Sequence, residues 1–133
     1  MHNRRVEELR SSLHSQLEAY AARNRDRPNA RLHWLSEQLE NYVERWLAFR
    51  AAITVGSRSP PQDDLFDVIE LATEMLTVEM RQLPSTSQGA QRWQRFLEVL
   101  SRVRTGSNDS AAEQLRTTVE EVRAALPRAP CSR

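Results

Sequence analysis

The sequence predicts an all-α fold, a five-helix bundle built on a long antiparallel hairpin of the first two helices. Three observations carry that reading. Apolar residues recur at spacings of three and four along five separate stretches, the mark of one buried helical face. All 3 glycines and all 6 prolines fall between those stretches or at their very start, and none falls in the middle of one. No stretch alternates apolar and polar residues between turn signals, as a half-buried strand would.

The stretches run at about 3–25, 29–55, 60–83, 89–105 and 110–126. Helix one carries a narrow seam of Val6, Leu9, Leu13, Leu17 and Tyr20. Helix two repeats Leu32, Leu35, Leu39, Tyr42, Trp46, Phe49 and Ile53 without a miss, and Val43 and Leu47 widen the stripe. A stripe that broad predicts a central helix touching several neighbours. Helix three offers Leu65, Ile69, Ala72, Leu76 and Met80, helix four Trp93, Phe96, Leu100 and Val103, and helix five Leu115, Val119, Val122 and Leu126. Ser59-Pro60-Pro61-Gln62 and Ser110-Ala111-Ala112-Glu113 read as capping boxes, and Ser85-Thr86-Ser87-Gln88 as a third.

A length of 133 residues supports one domain, expected over 1–126, followed by a flexible tail at 127–133. A single cysteine, Cys131, excludes an internal disulfide framework and a cysteine-based zinc site. No run approaches the ~20 apolar residues of a membrane span. The first residues lack the apolar stretch of a secretory signal, so a cytoplasmic protein with no membrane partner is expected. The chain has no lysine; all 19 basic residues are arginine, read as a GC-rich genome's way of encoding positive charge. Schiff-base catalysis and a P-loop lysine are thereby excluded.

The net charge of +1 conceals segregation. Residues 1–31 hold seven arginines against four acids, 57–83 two against six, and 84–105 four against one. On helix three, Asp63, Asp67, Glu70 and Glu74 form an acidic row whose like-charge spacing destabilises an isolated helix. The economical reading is that helix four or helix one lies alongside and neutralises it.

Catalytic signals are weak. His2, His14 and His33 stand at no metal-ligand spacing, and Glu37, Glu40 and Glu44 share a face without the Glu-x-x-His of a di-iron bundle. Arg27 and His33 have the Arg-x5-His spacing of helical ribonucleases of the HEPN type, but Pro28 places the pair across a helix start. No enzyme activity, cofactor, metal or small-molecule substrate is expected. The leading expectation is a non-enzymatic interaction module: a small adaptor, inhibitor or accessory protein. Helices one and two, each about 35–40 Å long at 1.5 Å per residue, outrun the others and leave seam uncovered. Val6, Leu9, Leu13 and Leu17, with Trp34 off the stripe of helix two, are the candidate contacts for a protein partner or a second copy in a homodimer. The alternative is nucleic-acid binding. It would use Arg23, Arg25, Arg27 and Arg31 around the first turn, and Arg92, Arg95 and Arg102 along helix four.

Overall fold

In the computed structural model the apolar periodicities become α1 (His2–Arg23), α2 (Ala30–Thr54), α3 (Asp63–Met80), α4 (Gln88–Gly106) and α5 (Asp109–Ala125). The structure describes residues 2–54, 63–106 and 109–126, and no strand occurs among them. The Ser59–Gln62 capping box and the 127–133 tail with Cys131 lie outside the described residues. No helix among the described residues is long and apolar enough to cross a membrane.

Local hydrogen bonds explain where the helix ends depart from the sequence reading. α1 stops at Arg23 because the Asn24 side-chain amide donates to the Tyr20 carbonyl at 2.8 Å, closing the last turn before Pro28. α3 stops at Met80, short of residue 83. There Gln82 N–H donates to Glu79 O at 3.1 Å and Leu83 N–H to Met80 O at 3.0 Å, a three-residue tightening ahead of Pro84. α4 is capped by Ser87 and not by Ser85: Ser87 Oγ accepts from the Ala90 amide at 3.1 Å. α5 has already begun at Asp109, so Ser110 lies inside the helix and does not cap it.

α2 packs against α1, α3 and α5, as its wide stripe requires. The α1–α2 hairpin is present, but the most extensive pairings are α4 with α5 and α2 with α3. α2, α3, α4 and α5 close a ring, and α1 lies in the outer groove between α2 and α3. Cross-helix ion pairs fix the directions. Glu40 and Glu44 of α2 meet Arg123 and Arg116 of α5, so those helices run antiparallel. Arg10 of α1 meets Glu74 of α3, while Glu18 and Glu79 share Arg31, so α1 and α3 run parallel.

The centre is apolar and closed. Leu35, Leu39, Val43, Ile69, Ala72, Leu76, Phe96, Leu115, Val119 and Val122 are fully buried. Trp93 stacks on Phe96 with ring centroids 5.0 Å apart. Trp46 tilts against Phe66 at 5.6 Å, with the Arg50 guanidinium 5.1 Å above the Trp46 ring. The buried hydroxyls are satisfied by their own helices: Ser36 donates to His33 O, Thr73 to Ile69 O and Thr118 to Gln114 O. At the foot of α4, a Cβ on Gly89 would lie 3.2 Å from Leu83 Cδ1 and 3.4 Å from the Ala125 carbonyl. That close approach brings the α3–α4 turn and the end of α5 together at one pole of the bundle, beside the α1–α2 turn.

Candidate anion-binding corner

The apolar seam of α1 is covered within the chain itself. Leu13 and Leu17 belong to the core, at 3% and 1% exposure, and Val6 and Leu9 are partly buried against it. Helix length predicts an uncovered seam, but the groove between α2 and α3 receives it. Trp34 is half-buried and tilts against Tyr20 of α1, ring centroids 6.1 Å apart, so it closes the α1–α2 junction. Among the described residues the one exposed large apolar side chain is Val78.

The arginines divide into those held by acids and those that are not. Acids of α3 are met by arginines from three sides, among them Glu70 and Glu74 of the acidic row. Arg10 of α1 donates to Glu74 at 2.8 Å, Arg104 of α4 grips Glu70 through two bonds of 2.8 and 2.6 Å, and Arg31 of α2 donates to Glu79 at 3.0 Å. Arg31 also reaches Glu18 of α1 at 3.0 Å, so a single guanidinium ties three helices together. Its pKa is raised, first by the bond to Glu79, with burial opposing. On the opposite side Arg116 grips Glu44 at 2.9 and 3.1 Å, and Arg123 pairs with Glu40.

The α4 row is broken by the same pairing. Arg92 lies 3.7 Å from Glu121 and Arg104 is held by Glu70, whereas Arg95 and Arg102 have no acid partner among the described residues. Those two line a polar groove between α4 and α5 with Gln114, Thr117, Thr118 and the Glu121 that pairs with Arg92.

Among the described residues, the first turn gathers three unpaired arginines in one short segment. Arg23, Arg25 and Arg27 are exposed, and none reaches a carboxylate among the described residues. Arg25, Arg27 and Arg31, with Asn24 and Asn29, form one wall of a cleft of about 370 Å³. Glu79 and Gln82 form the facing wall. Asn29 holds a left-handed φ of 61°, which asparagine tolerates better than most residues and which swings the chain from the turn into α2. The Arg31 and Leu32 amides of the first helical turn have no side-chain acceptor, in contrast to the capped start of α4.

Sequence reading found the arginine wall of this cleft but not Glu79 and Gln82. These lie about fifty residues away, and only the parallel course of α1 and α3 brings them there. Arg27 stays in the turn while His33 sits in the first turn of α2, so the Arg-x5-His pair spans the helix boundary. Among the described residues, no group of three or more His, Cys, Asp or Glu is placed to hold a metal.

Among the described residues, fold and corner together define an all-α bundle with an arginine-rich corner. No known protein-family model matches the chain, and neither a curated protein nor a solved structure does.

Proposed function

We propose that the protein is a non-enzymatic interaction module that docks an acidic segment of another protein against its basic pole. One observation carries the reading: Arg23, Arg25 and Arg27 stand clustered without acid partners, while Arg10, Arg31, Arg104, Arg116 and Arg123 are each bound to carboxylates within the fold. Burial of Leu13 and Leu17 argues against the flank of α1 as the contact surface and in favour of this end. A nucleic-acid backbone would need a longer track of cations. The engagement of Arg92 and Arg104 interrupts the one row that offers it.

The test compares a labelled ten-residue glutamate peptide with a short RNA duplex, by fluorescence anisotropy on the full chain at low salt. The acidic peptide is expected to bind and to weaken as salt rises. Replacing Arg23, Arg25 and Arg27 together by Ala should reduce its affinity about tenfold or more, since three exposed contacts of modest individual strength are lost. The helical circular-dichroism signal should not change. Tighter binding of the duplex, abolished by the same triple variant, would replace the protein-partner reading with a nucleic-acid one.

A further inference from the structure

We infer that the cleft between the 24–31 turn and the C-terminal end of α3 receives a phosphate monoester carried on the docking protein segment. The inference rests on the function proposed above and names the group that this pole reads.

Three guanidiniums, those of Arg25, Arg27 and Arg31, line the cleft; Arg31 is answered by Glu79 and Glu18, which leaves those of Arg25 and Arg27 unpaired among the described residues. The two unpaired cations are matched by a phosphate monoester, which near neutral pH carries about −1.5 to −2. A single carboxylate would answer only one of them. The donors suit the same group. Guanidinium forks grip phosphate oxygens two at a time, and phosphate offers three such oxygens. Arg25 and Arg27 have no internal acid to give up, and neither the Asn29 nor the Gln82 side-chain amide has a hydrogen-bond partner among the described residues. Arg31 is held in place from behind by Glu18 and from the side by Glu79, so its plane is set before any ligand arrives.

The carrier follows from what the cleft lacks. None of the residues lining it is aromatic, and Trp34 and Tyr20 are packed against each other away from it. A nucleotide would find no face on which to stack its base. A cleft of about 370 Å³ instead holds the phosphate and the short aliphatic residue bearing it, the chemistry of a phosphoserine in an extended segment.

The test is a calorimetric titration of the full chain with four probes. These are a ten-residue acidic peptide containing one serine, the same peptide phosphorylated, inorganic phosphate and adenosine monophosphate. Phosphorylation is expected to tighten peptide binding about tenfold or more, because it adds charge-assisted bonds to the arginine wall. Inorganic phosphate should compete with the phosphopeptide and displace the unmodified one less completely. Arg25→Ala/Arg27→Ala should erase the gain from phosphorylation, and both positions are exposed, so the fold is not at stake. Glu79→Gln, which removes the one anion in the cleft, should favour the phosphopeptide further. Equal binding of the two peptides would overturn the phosphate inference and leave the acidic-segment reading standing, while binding of neither would overturn both. Adenosine monophosphate binding more tightly than the phosphopeptide would overturn the assignment to a protein-borne phosphate.

Discussion

Phe96→Ala is expected to remove about 3–5 kcal/mol of folding free energy, the usual cost of deleting a fully buried aromatic ring. Phe96 has no exposed surface, and its ring lies nearly parallel to that of Trp93, with an interplanar angle of 13°. Deleting it leaves a void against the rest of the core and removes the stacked partner of Trp93. The surrounding side chains come from separate helices and cannot all move inward to refill it. Domains of this size are typically stable by only about 5–15 kcal/mol, so the variant should be folded but unfold at much lower denaturant. Urea unfolding followed by circular dichroism measures the loss. A value under about 1 kcal/mol would show that the ring is not enclosed as described.

Leu17→Ala is expected to cost about 2–5 kcal/mol, and it decides what α1 is for. Were the α1 seam a free docking face, truncating Leu17 would weaken association and leave unfolding unchanged. Leu17 is 1% exposed and belongs to the common core, so the loss should appear in the urea midpoint of the isolated chain. Val78→Ala on α3 is the matched control: its side chain is 53% exposed, and the change should stay within about 0.5 kcal/mol. A stable Leu17→Ala protein with impaired association would return the contact surface to α1.

Much of this architecture was legible because helical burial writes itself into local spacing. The unbroken stripe from Leu32 to Ile53 marked α2 as the central helix, and α2 does border three others. The uncompensated acidic row on α3 demanded cationic neighbours, and Arg10 of α1 and Arg104 of α4 both supply them. Sequence spacing did not disclose which groove accepts a given seam. A narrow stripe such as Val6–Leu9–Leu13–Leu17 fits a partner's groove and an internal one equally well. Nor did it disclose Arg31 reaching Glu79, or Glu79 and Gln82 facing the turn arginines, because those pairings depend on helix direction and order around the ring. The arginine side of the corner could be read because it is contiguous in the chain, and the opposite side could not because it is assembled only by folding.

The place of α1 outside the ring gives the molecule an order of opening. α1 touches α2 and α3 alone among the described helices, whereas the middle of α2 is enclosed on three sides. Amide protons in α1 can therefore reach solvent by detachment of that one helix, while those around Leu39 and Val43 must wait for the whole structure to unfold. Because Arg31 is bonded to Glu18, detachment would also release a ligand of the guanidinium that lines the basic cleft. Local breathing of α1 and the state of the corner are thus linked through one side chain.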